Sequence, residues 1–592
     1  MQLKTLYIKG FRNFKEMTCN FDKHSLIIGA NDVGKTNLIH ALRILLDKGM
    51  SDYDVELKDS DFYAFEETTE VVIRAYFEEV TEGCVVGRLG EYISDDSKMV
   101  VQYTATLKDG KVEYLYHIGR SDKEEDLQPK ENAFYRKYVN LKYISSRRDF
   151  WGYINKTKNL LLTQAKAERD PGTEAADDAL YADIEDKLRY VDEHIPLLSY
   201  VKNATEQINT ELNKLSIHNN EQKIVFDTSS TDIDRVISTV SLASKHEDKN
   251  MLIGGEGRIN QIYLSLWASQ NQQTDISNEV TIICVEEPEA YLHPHQQREL
   301  AAYLGRTLGG QVLLTSHSPF IASEFSPNSI IRLYKDKETD NSTQVASDGC
   351  SEVIGKGFED FGYRMSVIPA EAFFADYAVL VEGPSELTFY KTLAKVLDIN
   401  LDRLNVSVLD VAGVGFGTYI TILDALRIDW AMRTDNDVMK IPKKEGYRYA
   451  GIERGLNRME ESFELDDTLQ KRIGELKPKI HGFDINKESD ETKKAAAELM
   501  QVLDEHDIFI AGVDLETDLY NSGLKAELKS FYDKDNKLSD DEIIEKMKEH
   551  KAINMYDFLK KHKEKLTALK DHSLALPLQR AKQRIEEQYG SY

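Results

Sequence analysis

The sequence predicts an α/β fold in both halves of a 592-residue chain. Three observations predict it. Apolar, strand-like runs alternate with helical stretches, the pattern of parallel sheets with helical crossovers. Two of those runs, ending at Gly29 and Glu382, pass through a glycine turn into a helical pattern. Acidic residues collect at the ends of later runs, where parallel sheets present their ligands. A chain of this length is expected to form roughly two to four domains.

Taken in order, residues 3–8 alternate as a strand, and Ser25–Gly29 form another before the helical pattern Asn37–Leu46. Strand-like stretches recur at Glu70–Phe77 and Val100–Leu107. From Tyr153 to Lys214, apolar residues fall three and four apart with Lys and Glu between them. This helical insertion is either a dimerisation arm or a solvated hairpin packed on its own domain. Strands follow at Thr281–Val285 and Gln311–Thr315, and residues 336–350 are polar enough to read as linker. Tyr377–Val381 opens a new strand–turn–helix unit, continued by strands at Val406–Leu409 and Ile508–Val513, with a charged helical insertion at Glu464–Leu503.

Hydrophobic residues make up 41% and charged residues 30%, as in ordinary globular proteins. There is no apolar leader and no run of about 18 apolar residues, so a cytoplasmic location without membrane contact is expected. Four scattered cysteines suit a reducing compartment and argue against a disulfide framework or structural zinc. The net charge of −27 opposes long-range attraction to nucleic acid, so DNA contact requires a local basic patch or bound metal.

Gly29-Ala30-Asn31-Asp32-Val33-Gly34-Lys35-Thr36 fits G-x-x-x-x-G-K-[ST] between a strand and a helix, the context the phosphate-binding loop requires. Its backbone N–H groups and the helix N-terminus would cradle the phosphates of ATP, with Lys35 neutralising charge and Thr36 holding Mg²⁺. Asn31 and both glycines belong to the same cradle. Glu286 and Glu287 end an apolar strand, the first placed to bind Mg²⁺ through water and the second to polarise the attacking water. His317, after the next strand, is placed to sense the γ-phosphate. Gly254-Gly255-Glu256-Gly257-Arg258 opens a helix upstream.

A second constellation follows. Glu382 ends a strand, and Glu386 lies about one helical turn on, so both can face one site. Asp435 and Asp437 are two apart after a mostly apolar stretch and point the same way. Glu516 and Asp518 follow a third strand. Phosphodiester hydrolysis needs an activated water and a stabilised leaving oxygen; two hard cations ~4 Å apart supply both, and they want carboxylate oxygens.

The order of P-loop, helical insertion, Gly-rich element, Glu-Glu strand and His strand resembles ABC-type ATPases of the RecF and SMC branch, as does Ile8–Phe14. Gly255 and Glu256 are nucleotide contacts only as this resemblance implies. Two departures, Glu286 for the usual aspartate and Gly254 for the usual serine, leave slow hydrolysis or nucleotide sensing alone as alternatives. The acidic half resembles Toprim domains. The whole chain resembles the overcoming-lysogenization-defect (OLD) family, the branch that includes nucleases of Gabija anti-phage systems. That resemblance implies an ABC ATPase domain over 1–345 with a helical insertion at about 153–245, a linker over 346–375, and a Toprim domain over 376–592 with an insertion at about 450–505. It implies a divalent-metal DNA endonuclease or nickase using two Mg²⁺ or Mn²⁺ ions per site, and control of cutting by bound ATP. Self-association as dimer or tetramer through the ATPase half, a UvrD-like helicase partner subunit and a role in anti-phage defence are also implied. It nominates Lys551 as the residue that stabilises transition-state charge, against a solvated lysine-rich helix face.

Lys440, Lys443, Lys444, Arg448, Arg454 and Arg458, with Tyr447 and Tyr449 between, form a basic window suited to double-stranded DNA, or else a solvated loop. The alternative to a nuclease is an ATP-dependent DNA clamp or scaffold whose Toprim domain only binds a partner. A full acid set favours the nuclease.

Overall fold

The computed structural model describes residues 1–146, 149–215, 223–225, 233, 236–237, 240, 242–246, 249–252, 254–272, 279–307, 310–336, 342–351, 367–411, 415–443, 445–485, 487–533, 535 and 537–590. It divides into two compact units, Met1–Ser146 with Asp275–Tyr592, and Arg147–Thr274.

The first unit begins with an antiparallel sheet in the order Phe14–Asn20, Gln2–Phe11, Glu70–Glu78, Met99–Lys108, Lys111–Gly119, Leu127–Lys130. A second sheet runs Ser342–Val345, Ile330–Asp336, His24–Gly29, Gln311–Thr315, Val280–Glu286, Val139–Ile144, parallel throughout except for its first strand. The helix Lys35–Leu46 packs on both sheets, burying Leu38, Ile39, Leu42 and Leu45. Each such side chain contributes roughly 1.5–3 kcal/mol on burial, so Leu42→Ala strikes at the joint between the sheets. The Gln311 side chain ties the sheets again, accepting from Leu3 N–H at 2.9 Å and donating to its carbonyl at 2.8 Å.

The polar stretch 336–350 departs from its reading as linker. Ser342–Val345 is an edge strand, and Ser342 and Thr343 are fully buried. The cause is long-range: Thr343 Oγ1 donates to the Val33 carbonyl at 2.6 Å, binding the strand to the phosphate loop. Residues 352–366 of the expected linker lie outside the described residues.

Later in the same unit a four-stranded parallel sheet runs Val406–Asp410, Tyr377–Val381, Asp429–Thr434, Ile508–Ile510. Tyr377–Val381 is wholly buried beneath Phe389 and Leu393 of the helix Pro384–Val396 and the C-terminal helices. The last strand stops at Ile510, short of the expected Val513, because Gly512 and Val513 turn to bind the Asp518 carboxylate. The insertion holds helices Ala450–Ser462, Asp467–Leu476 and Asp490–Glu505. Its strand His481–Phe483 joins Val438–Lys440 and Tyr447–Tyr449, which precede it, in a small antiparallel sheet that the helical pattern did not announce.

The second unit consists mainly of helices Phe150–Ala167, Pro171–His194, Ser199–Leu215 and Glu256–Gln272. Asp170 caps the longest, accepting from Gly172 and Thr173 N–H ahead of Pro171. Parts of the expected 153–245 insertion lie outside the described residues. No helix among the described residues is long and apolar enough to cross a membrane.

Candidate functional sites on two sheet edges

Strands ending in Gly29, Glu286 and Thr315 run parallel and adjacent, so the phosphate loop, the Glu-Glu pair and His317 share one sheet edge. The loop needs its glycines: Gly34 has φ 111°, and a Cβ there would lie 2.1 Å from Asn13 Nδ2. Asn13 in turn donates to the Val33 carbonyl at 2.9 Å, holding the loop. Lys35 folds back and donates to the carbonyls of Gly29 and Ala30, both at 2.8 Å. Burial lowers its pKa to about 8, against the pull of Glu287, Asp32 and Glu286. Asn31 and Thr36 are exposed. Glu286 is buried and accepts from the Tyr143 hydroxyl at 2.6 Å.

Glu287 adopts φ 43°, and its carboxylate lies 3.6 Å from His317 Nε2. Burial, then Lys35, lowers the His317 pKa, so at neutral pH this contact is polar rather than ionic. Glu289 accepts from Ser316 Oγ at 2.7 Å and from His317 N–H at 2.8 Å, which sets the histidine loop. Gly254 and Gly255 open the helix Glu256–Gln272 in the other unit, with Gly255 at φ 84°.

The second edge belongs to the four-stranded sheet. Glu382 Oε1 accepts from Thr434 Oγ1 at 2.5 Å, from Asp435 N–H at 2.9 Å and from Arg454 Nη1 at 2.9 Å. Glu386 is buried; it accepts from Glu382 N–H at 2.5 Å and from Arg433 Nη1 at 3.2 Å. Burial raises its pKa to about 7 despite Arg433. Asp435 is pushed up to about 8, first by burial and then by Glu382 and Glu386. Asp437 pairs with Arg454 Nη2 at 2.7 Å. Glu516 is 2% exposed and lies 3.1 Å from Lys551 Nζ, at the start of the helix Lys551–His562. Asp518 Oδ2 accepts from Arg433 Nη2 at 2.9 Å and from Gly512 N–H, and its Oδ1 accepts from Val513 N–H. In this arrangement it holds a turn and an arginine.

The donor set suits a hard divalent cation, and one observation tests the fit: Asp435 Oδ1 is buried with no hydrogen-bond partner. Among the described residues no three acid, histidine or cysteine groups stand ready to hold an ion together. Two arginines, Arg433 and Arg454, stand between the acids.

The basic window is already engaged. Arg448 pairs with Glu453, Arg454 with Glu382 and Asp437, and Arg458 with Glu461. Lys440 and Lys443 are exposed, and Lys444 lies outside the described residues. Sequence reading missed Asn13, Tyr143, Glu289, Thr434 and Arg433 as members of these sites. Asn13, Glu289, Arg433 and Thr434 carried a signal in their places beside the motif residues, within Ile8–Phe14, Glu286–Glu289 and Arg433–Asp437; Tyr143 carried none.

Residues 1–322 match the family model described as AAA ATPase domain. Residues 373–437 match that of the overcoming lysogenization defect protein-like TOPRIM domain. The chain is 23% identical to Endonuclease GajA of Bacillus cereus (strain VD045), covering 94% of this chain and 95% of that protein. It is 20% identical to the OLD nuclease of Thermus scotoductus, covering 75% and 83%. It is 22% identical to the Old nuclease of Escherichia phage P2, covering 74% and 78%.

Proposed function

Because this chain belongs to the AAA ATPase domain family and carries an OLD-like Toprim domain after it, we propose that it is a nucleotide-regulated, divalent-metal-dependent DNA endonuclease or nickase acting in anti-phage defence. The observation that carries the reading is one sheet edge that carries Glu382, Glu386 and Asp435, with Asp437 tied to it through Arg454 and Lys551 through Glu516. Relatives named as nucleases over most of the chain support it.

Glu382, Glu386, Asp435, Asp437 and Glu516 are the residues that would hold Mg²⁺ or Mn²⁺. When bound, two such ions supply an activated water and stabilise the leaving oxygen of a phosphodiester. The chain's own residues do the rest. Thr434 and the Asp435 N–H orient Glu382. Arg433 holds Glu386 and Asp518 together. Lys551 carries the positive charge that meets charge developing on the phosphoryl oxygens. At the other edge, the loop N–H groups and Lys35 bind the phosphates of ATP, Thr36 and Glu286 serve its Mg²⁺, and Glu287 orients water beside His317. Lys440 and Lys443 are the exposed cations for the DNA backbone. Self-association through the ATPase half and a helicase-like partner subunit complete the proposal.

The test is incubation of the purified chain with supercoiled plasmid and Mg²⁺ or Mn²⁺, with and without ATP. Nicked or linear plasmid whose rate of appearance changes with ATP, and no longer does so in Lys35→Ala, is the expected result. Cleavage that ignores ATP in both proteins removes nucleotide control. Intact plasmid in every lane favours the DNA clamp.

A further inference from the structure

Two arginines share the acidic edge, and their surroundings assign them different work. Arg433 is 3% exposed and closed in between Glu386 and Asp518. Arg454 retains about a third of its side-chain surface, at 32%. Its Nη1 lies 2.9 Å from Glu382 Oε1 and also bonds Thr434 Oγ1, while its Nη2 lies 2.7 Å from Asp437 Oδ2. One planar fork thus spans two acids from two different strand ends.

The backbone places it there. The helix Ala450–Ser462 starts directly on the acidic turn, with Ala450 N–H bonded to the Asp437 carbonyl at 2.7 Å. Gly451 permits this approach, since a Cβ there would fall 2.2 Å from the Asp435 carbonyl oxygen. Arg454 lies one turn further on, its neighbour Glu453 held by Arg448 and His481. The root of the side chain is fixed on the helix while about a third of the side chain stays open to solvent, so the guanidinium can swing out without the helix moving.

We propose that Arg454 is an internal counter-cation, bridging Glu382 and Asp437 until a divalent ion binds there, so that guanidinium pairing and metal occupancy exclude one another. This rests on the metal-nuclease reading and deepens it. A guanidinium matches two carboxylates with charge-assisted bonds. A dication takes up the same oxygens and repels the guanidinium beside them. By linkage, the free energy that holds Arg454 in place is subtracted from metal affinity. The device keeps like charges tolerable in the metal-free enzyme and sets a threshold metal concentration for its action.

The experiment is calorimetric titration of the nucleotide-free full chain with Mn²⁺, in wild type, Glu382→Gln, Arg454→Gln and Arg454→Lys, each checked for an unchanged thermal melt. The expected result is loss of Mn²⁺ binding in Glu382→Gln and about tenfold tighter binding in Arg454→Gln. Arg454→Lys, which keeps charge but not the fork, is expected to fall between Arg454→Gln and wild type. Loss in Glu382→Gln with unchanged or weaker binding in Arg454→Gln overturns the counter-cation while the metal site stands. Unchanged binding in Glu382→Gln removes the metal site and the proposal with it.

Discussion

Lys551 Nζ lies 3.1 Å from Glu516 Oε2, although 34 residues of sequence separate them as numbered and the lysine opens its own helix. The pairing raises the lysine's pKa against burial, with Asp435 and Asp514 adding to the effect, so the ammonium is charged wherever the enzyme works. Lys551→Ala is expected to slow plasmid cleavage by about 10²–10³-fold, the size of losing one preorganised charge donor, with DNA affinity little changed. A rate equal to wild type would return Lys551 to a solvated helix face.

Arg332, buried on the strand beside the phosphate-loop strand, donates to the carbonyls of Leu426, Arg427 and Ala375 and lies 3.5 Å from Asp376. Those groups sit where the Tyr377–Val381 and Asp429–Thr434 strands begin, so one guanidinium ties the ATPase-family sheet to both strands that end in acids. Arg332→Ala leaves several buried acceptors without a partner and is expected to cost about 3–5 kcal/mol in denaturant unfolding. A loss under about 1 kcal/mol would place this junction among the weak surface pairs.

Gly34→Ala combines positive φ with a collision against Asn13, whose own bonds to Val33 and Thr343 prevent it from yielding. It is expected to lower stability by about 1–3 kcal/mol and to weaken ATP binding at least about tenfold. Wild-type affinity in this variant would show that the loop does not hold phosphates.

With its pKa lowered to about 8, Lys35 is charged below that pH and increasingly neutral above it. Bound phosphates favour the charged form, so binding takes up a proton above pH 8, and ATP affinity falls as pH rises past 8. Fluorescence titration from pH 7 to pH 9.5 is expected to show this fall in wild type and not in Lys35→Met. Parallel curves would mean that the lysine does not meet the phosphates.

Strand–turn–helix units were legible because Gly-rich turns and apolar runs are local signals: Ser25–Gly29 and Tyr377–Val381 appear nearly as read. Glu382 and Asp435 were legible as residues at strand ends, and Glu386 as the acid one helical turn after the first. What stayed hidden is long-range. Residues 342–345 are polar because they pair at an edge and grip Val33, which composition reads as linker. The three strands of the small sheet, at 438–440, 447–449 and 481–483, are too short for periodicity to reveal. The basic window looked free because charge in a sequence does not show its partner; the structure turns Arg454 inward onto the acids.

The most direct measurement is the rate of supercoiled plasmid cleavage with Mg²⁺ or Mn²⁺ by wild type, Glu382→Ala and Asp435→Ala. Nicked or linear product is expected from wild type and none from either variant, with all three proteins folded. Cleavage by the variants at the wild-type rate would contradict the metal-nuclease reading, because the hydrolysis would then arise away from the Glu382–Asp435 edge.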